Sequence, residues 1–207
     1  MKPFTVESGL AAPLEGRNID TDQIVPARFL KQERSKGYDR ILFHDLRFDE
    51  KGAERPDFVL NQEAFRGARI LVADENFGCG SSREAAVYAL ADYGIRAVIA
   101  PSFGDIFHNN CCKNGILPVK LDKKIVHDLQ ASLRRGEDTP VRIDLLQQQV
   151  FLPDGSAHPF QIDPFWRECM IKGVDDLTLT LSYADRIKTF TEDYYQRYPW
   201  TELTRGA

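Results

Sequence analysis

Between Asn76 and Glu84 the chain gathers two glycines, a thiol, adjacent hydroxyls, a guanidinium and a carboxylate: Asn76-Phe77-Gly78-Cys79-Gly80-Ser81-Ser82-Arg83-Glu84. Gly78 and Gly80 allow positive φ or close approach of backbone to a ligand. Ser81 or Ser82 is expected to open a helix, whose first N–H groups lack intrahelical partners and attract anions. Arg83 adds a permanent charge with forked donors suited to a carboxylate or phosphate. Three motif readings compete. A dinucleotide fingerprint requires a third glycine where Arg83 stands. A hydrolase nucleophile elbow requires glycine on both sides of the serine, whereas Ser82 has Gly80 before it and Glu84 after it. The third is a helix start at which Ser81, Ser82 and Arg83 hold an organic acid and one serine oxygen exchanges a proton. Against these stands a purely structural reading: Ser81 and Glu84 have the spacing of a capping box, a device that contributes about 1 kcal/mol with no ligand.

A second cluster of polar groups precedes it. Arg17-Asn18-Ile19-Asp20-Thr21-Asp22-Gln23-Ile24-Val25-Pro26 places turn-forming residues and two carboxylates ahead of a proline that can open a short helix through Leu30. Asp20 and Asp22 could bind a hard cation, but capping and turn hydrogen bonds are the simpler use. The cysteines Cys79, Cys111, Cys112 and Cys169 show no CxxC spacing. They read as free thiols rather than a disulfide framework or a zinc site.

The elements that must position these groups follow from apolar patterning. Ile70 to Ala73 reads as a buried strand, Arg83 to Gly94 as a helix and Arg96 to Ala100 as a second strand, which together make a right-handed βαβ unit with a parallel pair. Pro101 to Gly115 reads as a helix with a capping box of Ser102 and Asp105, and Asn114-Gly115 as its stop. Ile116 to Lys120 is a further strand, and Asp122 to Arg135 an amphipathic helix closed by Gly136. Phe4 to Val6, Val141 to Leu146, Val150 to Leu152 and Phe160 to Ile162 are shorter strand candidates, with a Gly/Ala/Pro connection after the first. Lys31 to Arg55 is charge-rich and reads as a mobile loop with one short helix, Asp39 to Leu46. Asp163-Pro164 starts a helix that Gly173 ends, and Tyr183 to Trp200 is a helix with an aromatic stripe that could pack on its own domain or on a partner.

At 207 residues with 43% hydrophobic content the chain can bury a large core and is read as one domain. A formal charge of −4 with interspersed signs gives no field for nucleic acid. No apolar run suits a secretory signal or a membrane span, so a cytoplasmic protein is expected.

Taken together, Phe77-Gly78-Cys79-Gly80-Ser81-Ser82-Arg83-Glu84, Asn18-Ile19-Asp20-Thr21-Asp22-Gln23-Ile24 and Pro101-Ser102-Phe103-Gly104-Asp105-Ile106-Phe107 resemble, in order and spacing, the small subunits of bacterial 3-isopropylmalate dehydratases in the aconitase superfamily. Asn110-Cys111 followed by Asn114-Gly115-Ile116-Leu117-Pro118 fits the same pattern, and the likeness runs over essentially the whole chain. The resemblance implies an α/β fold, the swivelling β/β/α domain of aconitases with a parallel βαβ core, extended by C-terminal helices from about residue 163 to 207. It implies a hydro-lyase of leucine biosynthesis that isomerises 2-isopropylmalate to 3-isopropylmalate, active with a large partner subunit carrying a [4Fe-4S] cluster. This chain itself would hold no metal or cofactor. By the same resemblance Ser81 is the base, Ser82 and Arg83 bind the substrate, and Thr21 and Asp22 support them. A related hydro-lyase acting on homoaconitate or citraconate would use the same motifs; the choice would fall to the 31–55 loop and its approach, where Phe29, Leu30, Tyr38, Ile41, Leu42 and Phe43 could wall an isopropyl group. A stand-alone Rossmann-like binding module is the alternative from another class.

Overall fold

The computed structural model describes residues 1–136 and 140–201, with Lys36 described by its backbone alone. Two four-stranded sheets and their helices follow the β/β/α plan. In the first sheet β1 (Val6–Gly9) pairs with β6 (Val141–Asp144), which continues to β7 (Gln149–Phe151) and β8 (Ala157–Pro159), all antiparallel. The second is wholly parallel and runs in chain order: β2 (Ala11–Pro13), β3 (Ile70–Val72), β4 (Ala97–Ala100) and β5 (Leu117–Lys120). A strand order without reversal lacks the switch-point crevice in which Rossmann-like sheets bind dinucleotides.

The central strands are apolar runs buried throughout, Ile70-Leu71-Val72 and Ala97-Val98-Ile99-Ala100, as parallel strands covered on both faces must be. Each large aliphatic side chain so buried contributes about 1.5–3 kcal/mol. Between them α3 (Glu84–Tyr93) buries Ala86, Val87, Ala89 and Leu90 and stops at Gly94. The helix α4 (Asp105–Lys113) packs on α3 and β5, and α5 (Lys123–Arg134) lies across β2, β3 and β4, started by Asp122, whose Oδ1 accepts from Lys124 N at 2.8 Å. Glu7 of β1 lies between Arg69 (2.6 Å) and Arg96 (3.8 Å), tying the first sheet to the start of the second.

Several expectations shift. The Gly/Ala/Pro connection contains a strand, β2, because an edge position beside β3 accepts a chain with a proline; the opposite edge, β5, likewise carries Pro118. The first strand begins at Val6 rather than Phe4, whose ring is buried in the core. The strand expected at Phe160 to Ile162 lies three residues earlier, at β8. After Pro26 the chain makes a 3-10 turn, Ala27–Phe29. A four-residue helix, α1 (Thr21–Ile24), precedes it, and the helix expected at Asp39 to Leu46 shrinks to α2 (His44–Arg47), opened by Phe43 at φ +50°.

The C-terminal helices are α6 (Pro164–Lys172), capped by Asp163 and ended by Gly173 as expected, then α7 (Asp176–Leu181) and α8 (Ala184–Arg197). No residue of α8 is buried. Phe190 and, in the following turn, Trp200 are 68% and 78% exposed, so among the described residues the aromatic stripe has no cover from its own domain. The last part of the expected extension, 202–207, lies outside the described residues.

Candidate active site

The three motifs that are far apart in sequence meet where β2, β3 and β4 end. Backbone bonds sew the loops following these strands into one surface. Asn18 N donates to Glu75 O (2.9 Å), Gly78 N to Ile19 O (2.7 Å) and Thr21 N to Cys79 O (3.0 Å) on one side. Phe77 N donates to Ser102 O (3.1 Å) and Gly104 N to Phe77 O (3.0 Å) on the other. Ligands of parallel α/β sheets collect at this carboxyl edge of the strands. Two glycines are required for the close approach. Gly78 has φ +72°, and a Cβ there would sit 2.2 Å from the Phe107 ring; a Cβ on Gly104 would sit 2.6 Å from Gly78 O.

The capping box read from Ser81 and Glu84 is not formed. The helix α3 starts three residues later than Ser81, at Glu84, with Arg83 as N-cap and no side-chain cap. The Glu84 carboxylate accepts instead from Asn114 Nδ2 at 3.0 Å, linking the start of α3 to the end of α4, a connection across thirty residues that no local spacing announces. The Ser81 carbonyl accepts from the buried Thr21 hydroxyl at 2.8 Å. Its own hydroxyl is exposed and has no protein partner among the described residues. Ser82 is exposed beside it. The Ser102 and Asp105 box is likewise absent: Gly104 caps α4, and Ser102 Oγ accepts from Asn76 N at 2.8 Å to hold the site loop.

Asp20 fulfils the capping expectation. Its Oδ1 accepts from Gln23 N (2.8 Å) while Gln23 Oε1 accepts from Asp20 N (3.0 Å), a complete box on α1. Asp22, two residues on, receives Nη1 of Arg83 in an ion pair. Arg83 is largely enclosed, at 16% side-chain exposure, whereas Asp22 is open at 52%. Ser81, Ser82, Arg83, Asp22 and Thr21 are therefore brought together: an open hydroxyl pair, a cation with a neighbouring carboxylate, and a buried hydroxyl that fixes the serine backbone. Among the described residues no group of three or more His, Cys, Asp or Glu could hold a metal ion. Cys79 is partly buried with Sγ 3.5 Å from Asn18 O; burial, then the Asp20 charge, push its thiol up and away from thiolate character.

The expected wall of apolar residues is corrected. Tyr38, Ile41, Leu42 and Phe43 are buried at 5%, 3%, 0% and 0% exposure, because the charge-rich segment spends its few large side chains on its own core. Phe29, half-buried, and Leu30, exposed, remain available on the 3-10 turn that follows α1.

Residues 1–124 match the family model of the aconitase C-terminal domain. Over 200 residues the chain is 53% identical to the 3-isopropylmalate dehydratase small subunit of Rhodospirillum centenum, covering 97% of this chain and 98% of that one. The chain belongs to the 3-isopropylmalate dehydratase small subunits. The small subunit of Rhodospirillum rubrum is 48% identical over the full length of both chains. A solved structure of 3-isopropylmalate dehydratase from Methanocaldococcus jannaschii shares the fold at a TM-score of 0.61 and 25% identity, over 91% of this chain and 99% of that chain. No helix among the described residues is long and apolar enough to cross a membrane.

Proposed function

We propose that this chain is the half of a cytoplasmic 3-isopropylmalate dehydratase that supplies the base and the carboxylate grip, converting 2-isopropylmalate to 3-isopropylmalate through isopropylmaleate in leucine biosynthesis. The names of its relatives and the order of its motifs support the reading. One observation carries it: the Ser81 hydroxyl, which local sequence assigns to a cap, is released from that duty and left open on a backbone pinned by Thr21.

In this account Ser81 Oγ removes the proton next to a substrate carboxylate and returns it to the neighbouring carbon after the hydroxyl has moved. A serine hydroxyl is a weak base at neutral pH. Proximity of the Arg83 guanidinium, the first N–H groups of α3 and exclusion of water on closure against a partner lower the cost of its alkoxide. Arg83 and Ser82 hold a carboxylate, Asp22 orients Arg83, and Thr21 positions Ser81 through its carbonyl. Leu30 faces the isopropyl group, while Phe29 turns its ring to His44. A large partner subunit carries the [4Fe-4S] cluster, which would supply Lewis-acid activation of the departing hydroxyl.

The test is reconstitution with an iron-sulfur large subunit of this family. Addition of 2-isopropylmalate should produce the ultraviolet absorbance of the unsaturated diacid, and each subunit alone should produce none. Absence of turnover with a large subunit active beside its own small subunit would overturn the proposal.

A further inference from the structure

A second arginine stands at the other end of α3. The helix spans ten residues, so its C-terminal Tyr93 lies about 14 Å from its start, at about 1.5 Å per residue. There a cleft of about 620 Å³ opens, within the range of small-molecule sites. Its sides are Phe29, His44, Phe48 and Tyr93, and Arg47 and Arg40 also line it. Phe29, His44 and Phe48 form a continuous ladder, with ring centroids 4.7 Å and 5.3 Å apart.

Arg47 is 6% exposed. Its Nε donates to Asn61 Oδ1 (3.3 Å) and its Nη1 to the carbonyls of Asp39 (2.8 Å) and Leu42 (3.3 Å). The guanidinium lies over the rings of Phe48 (4.9 Å) and Tyr93 (5.0 Å). Nη2 has no acceptor among the described residues, and no carboxylate there forms an ion pair with Arg47. Glu54, on the rim, is engaged by both terminal nitrogens of Arg66. The charges of Glu54 and Asp39 act on the guanidinium without pairing with it, so its Nη2 N–H groups stay available to a carboxylate oxygen. Burial lowers its pKa from the usual value, yet an arginine stays protonated.

We propose that this cleft is a second, non-catalytic site for a small organic monocarboxylate with an aromatic or branched apolar body, its carboxylate on Arg47 Nη2 and its body against the Phe29–His44–Phe48 ladder. A single charge fits better than a phosphate dianion, because Asp39 and Glu54 also border the opening. The site is independent of the reaction at Ser81.

The probe is phenylacetate, titrated into the full-length chain and followed by amide chemical shifts, with phenethylamine as the same body bearing the opposite charge. Saturable shifts with phenylacetate, centred on 39–54 and Tyr93 and not on 76–84, with Kd below about 10 mM, are expected, and none with the amine. Arg47→Lys should weaken binding about tenfold in a chain that keeps its native spectrum. Should that variant fail to fold, Arg40→Glu, an exposed change at the rim, should weaken binding several-fold. Equal shifts with both compounds, shifts centred on 76–84, or no saturation would overturn the proposal.

Discussion

Arg83 and Arg47 stand at opposite ends of α3, and each holds its guanidinium in a different way. Arg83 rests on a loop fixed by the backbones of its neighbours and faces Asp22, an open carboxylate. Arg47 is sunk among two carbonyls, an amide and two aromatic rings. An ion pair with an exposed partner is worth about 0–1 kcal/mol, so Asp22 can yield Arg83 to a substrate carboxylate at small cost. The hydrogen bonds of Arg47 hold the 39–61 stretch together and cannot be exchanged without leaving buried acceptors bare. The first arrangement suits turnover and the second suits structure with a vacant pair of donors.

The comparison is sharpest in paired substitutions. In the reconstituted enzyme Arg83→Met should lower kcat/KM by roughly 10²–10³-fold, the scale for losing a group that stabilises developing charge. Arg47→Met should leave kcat/KM within a few-fold at temperatures where the variant is folded. In unfolding experiments the order reverses. Arg47→Met should cost about 3 kcal/mol, since Asp39 O, Leu42 O and Asn61 Oδ1 lose their donor, and Arg83→Met no more than about 1 kcal/mol. Equal losses of stability, or equal losses of activity, would break the distinction.

A smaller effect concerns α2 beside the cleft. The side-chain hydrogen bonds from Arg28 hold the Asp45 carboxyl down at about 2, below the ordinary 3.8. A depressed folded pKa contributes stability above the unfolded value and loses it as pH falls through the range from 3.8 to about 2. Asp45 is 55% exposed, so the contribution stays below about 1 kcal/mol. Arg28→Ala should move the Asp45 carboxyl, followed by NMR titration, back towards its ordinary range and flatten that part of the acid limb; an unmoved titration would contradict the assignment.

Much of the scaffold was legible because burial on both faces leaves apolar runs, as at Ile70-Leu71-Val72 and Ala97-Val98-Ile99-Ala100, and because Asp122, Asp163, Gly94 and Gly173 act within their own helices. The short edge strand β2 was not, since Ala11-Ala12-Pro13 has no pattern of its own and is ordered by pairing with β3. The two misread caps share a cause. Ser81 and Ser102 have the right local spacing, but neither caps its helix: the Ser81 carbonyl accepts from Thr21 and the Ser102 hydroxyl from Asn76. Residue types thus marked Ser81, Ser82 and Arg83 as a candidate site, while the partnership of Arg83 with Asp22 and the support from Thr21 needed the fold. Arg47 gave no signal, being one cation in a charged stretch, and the aromatic stripe of α8 was visible without its exposure.

Because it is not the cap of α3, Ser81 is free to act as a base in the proposed reaction. The direct measurement is kcat of Ser81→Ala in the reconstituted enzyme, read together with its melting temperature and its association with the large subunit. A loss of roughly 10²-fold or more in kcat, the scale of general base catalysis, is expected, with melting and association unchanged. A near-normal kcat, or a melting temperature lowered by the loss of about 1 kcal/mol expected for a removed cap, would contradict it.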